Sequence, residues 1–154
     1  MVHNGMEAVI FIGIQGSGKS SFFRERFFDS HVRINLDMLR TRRREELLVG
    51  ACLEGGQSFV VDNTNPLPVD RARYVERARA AGFRTVAYFF ETSLREAMAR
   101  NNLRAGKQRV PALAVAATFK KLVAPSAGEG FDEIYTVRLT ADDGFVAVKG
   151  SSQE

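Results

Sequence analysis

The amino-acid sequence predicts an α/β fold in which a parallel sheet of about five strands carries helices on both faces and a small lid. Two observations lead to this prediction. Short apolar runs that suit buried strands alternate with segments of helical periodicity, and a glycine-rich octapeptide joins the first strand to the first helix. Strands that alternate with helices pair in parallel through right-handed crossovers, so the helices cover both faces of the sheet.

Length and composition limit the classes of protein that fit. The chain has 154 residues, of which 45% are apolar and 26% are charged, and we expect residues 1–154 to form one globular domain. The longest apolar runs are too short to cross a membrane, and Cys52 is the single cysteine, which excludes a disulfide within the chain. Because no secretory signal pattern is present, we expect a cytoplasmic protein without a membrane partner. The oligomeric state stays open.

The first apolar run, residues 8–12, leads into Gly13-Ile14-Gln15-Gly16-Ser17-Gly18-Lys19-Ser20, which matches the phosphate-binding P-loop, G-x-x-x-x-G-K-[ST]. The glycines allow successive backbone N–H groups to approach a phosphate closely. Lys19 can reach the β- and γ-phosphates, and the Ser20 hydroxyl can bind Mg²⁺ where the following helix begins. We therefore predict ATP and Mg²⁺ as cofactors. The predicted nucleotide ligands are Gly13, Gln15, Gly16, Ser17, Gly18, Lys19, Ser20, Ser21 and, from the later lid, Arg104.

The remaining elements continue the alternation. Residues 32–36 read as a short strand, residues 37–53 as a helix with Asp37 at its N-cap, and residues 58–61 as a buried strand. Further helices are predicted from residue 69 to Gly82, from residue 94 to a break near Gly106, and over 112–122, and further strands over 85–90 and 133–139. In the first of these helices the arginines, including Arg71 and Arg73, face away from the apolar side. The tail from Thr140 is polar except for residues 145–148.

Polar residues end three of these strands, and the ends of parallel strands can meet in one crevice. Asp37 is the candidate general base for an acceptor hydroxyl, and a purely capping role is the alternative reading. Asp62 holds the Walker-B position, where a carboxylate binds Mg²⁺ directly or through water, and a turn cap is the alternative. Arg40, one turn beyond Asp37, can bind an acceptor phosphate, or can be a surface arginine. We predict Ser20 and Asp62 as the metal ligands.

One basic segment lies in the middle of the chain. Residues 71–109 hold nine arginines and Lys107 against three glutamates, a net charge of +7, whereas the whole chain carries +4. A basic segment beside a phosphate site indicates polyanionic ligands, although a solvated helix face explains single arginines equally well. Arg100 and Arg104 precede a glycine-containing break, as expected of a lid that closes over phosphates, and we predict that both stabilise charge during transfer.

Several motifs in the same order resemble the kinase domain of polynucleotide 5′-kinase/3′-phosphatases. The resemblance runs from Val9 to Leu139 and includes the P-loop, residues 34–37 with Arg40, and the sequence Asp62-Asn63-Thr64-Asn65-Pro66. It also includes Arg71-Ala72-Arg73-Tyr74-Val75, Arg100-Asn101-Asn102-Leu103-Arg104 and Glu129-Gly130-Phe131. The D-N-T-N-P stretch and the N-N-x-R lid are much more specific than the P-loop, which many unrelated NTPases share.

The resemblance implies a P-loop kinase fold and transfer of the ATP γ-phosphate to a 5′-hydroxyl of DNA or RNA. It implies that Asp37 is the base and that Arg100 and Arg104 belong to the lid. The nucleic acid 5′ end is then the expected partner, with Asp37, Arg40, Asn63, Asn65 and Arg73 as acceptor-binding residues and Lys19, Asp37, Arg100 and Arg104 as catalytic ones.

The chain also departs from the family pattern. It has Leu36 where an arginine often precedes the base, and it contains no D-x-D-G-T phosphatase signature, so 3′-phosphatase activity is not expected from it. Two other functions remain open: a P-loop kinase for a nucleoside or another small molecule, and an ATP-binding module that transfers no phosphate. A carboxylate at position 37 favours the kinases, because a pure binder has no need of one there.

Overall fold

The structure is a computed structural model of the chain that describes residues 5–106, 109–142 and 144–150. His3 and Lys107 lie outside these ranges. The strands are β1 (Glu7–Ile12), β2 (Val32–Ile34), β3 (Phe59–Val61), β4 (Arg84–Phe90), β5 (Glu133–Leu139) and β6 (Phe145–Lys149). The helices are α1 (Lys19–Arg26), α2 (Leu36–Leu39), α3 (Arg42–Gly55), α4 (Pro68–Ala80), α5 (Leu94–Asn102) and α6 (Ala112–Lys121), and a 3₁₀ turn covers Ala127–Glu129.

The six strands form one sheet in the order β2-β3-β1-β4-β5-β6. The first five are parallel, and β6 pairs antiparallel with β5. This confirms the predicted α/β fold with a parallel sheet. After β1 the chain builds β2 and β3 on one side, and it then crosses to β4 on the other side. The carboxyl end of β1 therefore lies at the point where the strand order reverses, which is where open α/β sheets bind ligands.

Alternating side chains of β1 serve two separate cores. Ile10 and Ile12 pack with residues of α3 and α4, such as Val49 and Val75. Val9 and Phe11 face the other way, into an aromatic cluster with α1, in which the Phe11 and Phe22 ring centroids are 5.8 Å apart. Because β1 is covered on both faces, its apolar run is continuous rather than alternating.

The lid helices α5 and α6 form a third, smaller cluster. Ala97 of α5 and Val115 of α6 are fully buried against Ile14, the second residue of the P-loop. The lid is therefore packed directly on the loop that it was predicted to cover. No helix in the described ranges has both the length and the apolar composition that a membrane crossing requires.

Two sequence predictions about the elements are wrong in detail. The apolar stretch near residues 145–148, taken as part of a polar tail, is the edge strand β6, whose Phe145 ring lies 5.2 Å from that of Phe22. The helix predicted over 37–53 is two helices, separated at Arg40, which has a φ of +79°. Thr41 starts the second one by accepting a hydrogen bond from the Arg44 amide at 3.1 Å, a capping signal that the long charged run obscured.

Asp37 is not the N-cap of its helix. The Asn35 side chain holds that position by accepting a hydrogen bond from the Met38 amide at 2.9 Å, and Asp37 lies within the single turn that follows. Because capping falls to Asn35, the alternative reading of Asp37 as a helix cap loses its basis.

Candidate active site

The P-loop connects the end of β1 to the start of α1 and is fixed on two sides. The Gly13 amide donates to the Thr64 carbonyl at 3.0 Å, which ties the loop to the turn after β3. At Gly16, φ is +83° and an added Cβ would lie 2.4 Å from the Ala97 carbonyl oxygen of α5. Glycine is therefore required at position 16 both by backbone conformation and by the close approach of the lid helix.

Lys19 is the first residue of α1 and is half-buried against the loop. Its Nζ donates to the carbonyl oxygens of Gly13 at 2.9 Å and Ile14 at 2.8 Å. Burial lowers the Lys19 pKa from 10.5 to about 8, and the Arg104 guanidinium acts in the same direction, whereas the Asp62 and Asp37 carboxylates act in the opposite one. Asp62, Asp37 and Arg104 thus lie close enough to Lys19 to interact with it electrostatically.

The two predicted metal ligands are in contact. The Ser20 hydroxyl donates to Oδ2 of Asp62 at 3.1 Å, and Asp62 is buried at the end of β3. Arg33 of β2 completes a triangle: its Nε lies 2.9 Å from the same Asp62 oxygen, and its Nη2 lies 3.0 Å from Ser20 Oγ. A hydroxyl and a carboxylate that already share one cationic partner have the donor chemistry that Mg²⁺ prefers, so Ser20 and Asp62 fit a magnesium ion.

Arg33 did not enter the sequence analysis. Its side chain points to the opposite face of β2 from its strand neighbours Val32 and Ile34, because strand residues alternate. The signal for this residue was its charge inside a short, otherwise apolar strand, which pairs with the strand that leads to Asp62.

Two asparagines anchor the turn that carries Asp37. The Asn35 amide donates to the Asp62 carbonyl at 2.6 Å, and the Asn63 side-chain oxygen accepts from the Leu36 amide at 2.9 Å. Asp37 itself is exposed, as is Arg40 at the end of α2. The carboxylate is therefore held near Lys19 by its backbone, while its side chain stays accessible to an acceptor.

A buried polar network supports this turn from behind. Glu45 of α3 is 1% exposed, and its Oε2 accepts from the Asn63 amide at 3.0 Å and from the Tyr74 hydroxyl at 2.9 Å. Burial, reinforced by the Glu45 charge, raises the Tyr74 pKa to about 12, so this hydroxyl stays protonated and donates. The Arg42 guanidinium closes the network on the other Glu45 oxygen at 2.8 Å. Sequence reasoning missed this network, because its members lie on three different elements.

The D-N-T-N-P segment is used mainly for internal support. Asn65 is 5% exposed, and its amide donates to the Phe11 carbonyl at 2.8 Å. Asn63 has both ends of its side chain engaged by Leu36 and Glu45. The geometry brings neither asparagine into the crevice with a free polar group, so their predicted acceptor-binding role gains no support from it.

Arg71 is not on a solvated helix face. It is completely buried, and it donates to the carbonyl oxygens of Asn65 at 2.9 Å, Pro66 at 3.1 Å and Val123, and to the Glu129 carboxylate at 3.0 Å. The prediction of an exposed arginine is wrong, because four acceptors from distant parts of the chain surround this position. Arg73, two residues later, is exposed as expected.

The lid arginines differ in their contacts. Arg100 Nη1 donates to the Gly16 carbonyl at 2.9 Å, so it holds the P-loop backbone directly. Arg104 lies just beyond the end of α5, is half-buried and acts on the Lys19 charge. Between them, Asn101 is buried and pairs through both ends of its amide with the Val110 backbone, which joins the start and end of the loop between α5 and α6.

Three further predicted nucleotide ligands occupy different positions around the loop. The Gln15 amide lies 3.3 Å from the Thr118 hydroxyl of α6, and Ser21 accepts a hydrogen bond from Arg24 on the outer side of α1. Ser17 is buried, and its hydroxyl has no hydrogen-bond partner among the described residues. Gln15 thus contacts the lid helix α6, Ser17 is buried within the loop, and Ser21 contacts its own helix, α1, instead.

Arginines also line a groove between α3 and α4. The residues of this α3–α4 groove are Arg43, Glu45, Glu46, Leu47, Val49, Arg73, Tyr74 and Arg77. Glu45 and Tyr74 connect the groove to Asn63 and thus to the turn that carries Asp37. The basic surface near the site is contributed by α3 as well as by the 71–109 segment.

A family model described as "AAA domain" matches residues 9–125, which is most of the chain. The chain belongs to the AAA domain family. The chain is also similar to a putative bifunctional polynucleotide phosphatase/kinase of Acanthamoeba polyphaga mimivirus, to which it is 32% identical over 143 residues. This alignment covers 88% of the chain and 34% of the viral protein.

A second relative has a similar name. The bifunctional polynucleotide phosphatase/kinase of Schizosaccharomyces pombe is 25% identical over 137 residues, which cover 85% of the chain and 33% of the yeast protein. The chain thus spans about a third of the length of each of these relatives. The resemblance predicted from the motifs is confirmed: this AAA domain is polynucleotide kinase-like.

A solved structure confirms the fold. Kti12 of Chaetomium thermophilum, determined in complex with ADP-AlF3, superposes with a TM-score of 0.64 at 13% identity and covers 89% of this chain and 90% of its own. At this identity the likeness shows the fold alone, which is the P-loop kinase fold.

Proposed function

We propose that the chain is an ATP-dependent kinase that transfers the γ-phosphate to the 5′-hydroxyl of DNA or RNA. The observation that carries the proposal is the electrostatic contact of Lys19 with Asp37, Asp62 and Arg104. A P-loop lysine, a metal-binding carboxylate, a separate exposed carboxylate and a lid arginine are the groups that phosphoryl transfer requires. The names of the two polynucleotide phosphatase/kinase relatives support the choice of acceptor.

In this proposal the P-loop binds the nucleotide phosphates. Lys19 leaves the carbonyls of Gly13 and Ile14 and donates to phosphate oxygens instead. Ser20 and Asp62 hold Mg²⁺, which neutralises charge on the phosphates when bound. Arg100 keeps the loop in shape through the Gly16 carbonyl, and Arg104 offers a cation to the charge that develops on the transferred group.

Asp37 acts on the acceptor. Its carboxylate accepts the proton of the 5′-hydroxyl while the acceptor oxygen forms a bond to the γ-phosphorus and the bond from that phosphorus to the ADP oxygen breaks. The proton then leaves Asp37 for solvent, to which this side chain is exposed. The α3–α4 groove, with Arg43, Arg73 and Arg77, supplies positive charge for the phosphates that follow the acceptor nucleotide.

An acceptor panel with γ-labelled ATP tests the proposal. The panel contains 5′-hydroxyl DNA and RNA oligomers, the same oligomers already phosphorylated at the 5′ end, nucleosides and sugars. We expect label on the 5′-hydroxyl oligomers only. Label confined to nucleosides or sugars would establish a small-molecule kinase, and ATP binding without transfer to any acceptor would leave a nucleotide-binding module.

Asp37→Asn tests the assignment of the base. The amide keeps the size of the side chain but cannot accept the hydroxyl proton as a carboxylate does, so we expect the transfer rate to fall at least ~10²-fold while ATP affinity stays nearly unchanged. Asp70→Asn, at the start of α4, is the control for general loss of a carboxylate. Full turnover by Asp37→Asn would reject Asp37 as the base.

A further inference from the structure

The position expected for Mg²⁺ already has a cation of its own. Arg33 donates to the two oxygens that are proposed to bind the metal, Ser20 Oγ at 3.0 Å and Asp62 Oδ2 at 2.9 Å. Asp62 is 2% exposed, and the Arg33 guanidinium is the positive partner that its buried carboxylate needs. Lys19, the other nearby cation, is engaged with the loop carbonyls of Gly13 and Ile14.

The guanidinium and a magnesium ion cannot share this position. Mg²⁺ binds oxygen ligands at about 2.1 Å, whereas Arg33 already occupies hydrogen-bonding distance from both oxygens and carries a like charge. The Arg33 side chain is 30% exposed, so it has open space toward solvent into which it can move. Direct binding of Mg²⁺ to Ser20 Oγ and Asp62 Oδ2 therefore requires that the Arg33 contacts be broken.

We propose that Arg33 is an exchangeable counter-cation of the metal position, which stabilises Ser20 and Asp62 before the nucleotide arrives and gives way to Mg²⁺ when it binds. The proposal rests on the nucleotide-binding part of the proposed function and not on the acceptor. Arg33 and Mg²⁺ then compete for the same two oxygens. The increase in nucleotide affinity that Mg²⁺ causes is smaller when Arg33 is present, because its contacts must be broken first.

The test compares the affinity for a fluorescent ADP analogue in EDTA with the affinity in saturating Mg²⁺. Arg33→Gln keeps a polar side chain but removes the charge, so we expect the gain in affinity on adding Mg²⁺ to be about five-fold larger than in the unaltered protein. The free Mg²⁺ concentration at half-effect should fall correspondingly. Arg79→Gln is the matched control, since Arg79 is also half-exposed and faces a carboxylate, Asp132, at 3.8 Å.

Each outcome decides the proposal. An unchanged or smaller Mg²⁺ effect in Arg33→Gln overturns it, and so does a complete lack of nucleotide binding by the unaltered protein, which also removes the nucleotide part of the proposed function. A failure of transfer in the acceptor panel leaves the binding measurement unaffected, so the two failures are distinguishable. Arg33→Lys, which keeps the charge but loses the planar fork, serves if Arg33→Gln does not fold, and we expect an intermediate Mg²⁺ effect from it.

Discussion

Lys19 shows how one residue can serve two states of the same loop. Its ammonium group donates to the carbonyls of Gly13 and Ile14, and burial lowers its pKa to about 8. The cost of burying this charge is partly offset by Asp62 and Asp37. A bound phosphate would add further negative charge and would favour the protonated form.

Nucleotide binding is therefore expected to take up a proton at pH 8.5. At this pH, above the Lys19 pKa of about 8, the free protein holds the amine mostly neutral, and the phosphates raise the pKa on binding. Affinity should accordingly fall as the pH rises above 8. Calorimetric titration in buffers of different ionisation enthalpy measures the proton uptake, and Lys19→Arg, which keeps its charge at all these pH values, should show none. Equal enthalpies in all buffers for the unaltered protein would contradict the lowered pKa.

At the scale of elements, hydrogen bonds between different segments of the chain hold the site together. Arg71 of α4 links the turn after β3 to the loop after α6 and to Glu129 of the 3₁₀ turn. The turn after β3 in turn fixes Gly13 through the Thr64 carbonyl. A buried side chain of α4 thus contributes to the shape of the P-loop without touching it.

Arg71→Met tests this tie. Methionine fills similar space but donates no hydrogen bonds, so three backbone carbonyls and the Glu129 carboxylate lose their partner. We expect the free energy of unfolding, measured with urea, to fall by about 3–5 kcal/mol. Arg77→Met, at an exposed position of the same helix, should change it by less than about 0.5 kcal/mol. Similar effects of the two substitutions would refute the structural role of Arg71.

The predictable elements and the unpredictable ones differ in the range of their contacts. The P-loop and the position of Asp62 directly after β3 could be predicted because motif and periodicity are local signals. Arg71 could not, since Glu129 lies 58 residues away, and the Glu45 network joins α3 to α4 and to the turn after β3. The edge strand β6 was missed although residues 145–148 are apolar, because the polar residues on both sides of this short run made it resemble part of a tail.

At the scale of the whole molecule, the basic residues that reach the surface differ from those that the net charge of the sequence segment indicates. Arg71 and Arg84 of the +7 segment are paired with Glu129, and with Glu7 and Glu133, respectively, so they add little to the outer surface. The α3–α4 groove gains Arg43 from a helix outside that segment. The surface that can attract a polyanion is therefore narrower than the sequence indicates, and it includes the α3–α4 groove.

Salt dependence tests that surface. If a single-stranded oligomer lies in the groove, its affinity should fall linearly with the logarithm of salt concentration, with a slope of about −0.7 for each phosphate contacted. Arg73→Gln and Arg77→Gln should each reduce the magnitude of the slope by about 0.7. Arg138→Gln, at an exposed arginine of β5 that pairs with Glu91, is the control and should leave it unchanged. A slope insensitive to both groove substitutions would place the strand elsewhere.

The positive φ of Arg40 separates the single turn of α2 from the long helix α3. Arginine rarely adopts this conformation, so the backbone there is held by its surroundings at some energetic cost. The turn is fastened at its beginning by Asn35 and Asn63, and at its end the Arg44 guanidinium of α3 donates to the Leu39 carbonyl at 3.2 Å. The backbone that carries Asp37 is therefore held at both ends, so in the proposed transfer the acceptor hydroxyl must come to the carboxylate rather than the turn moving to meet it.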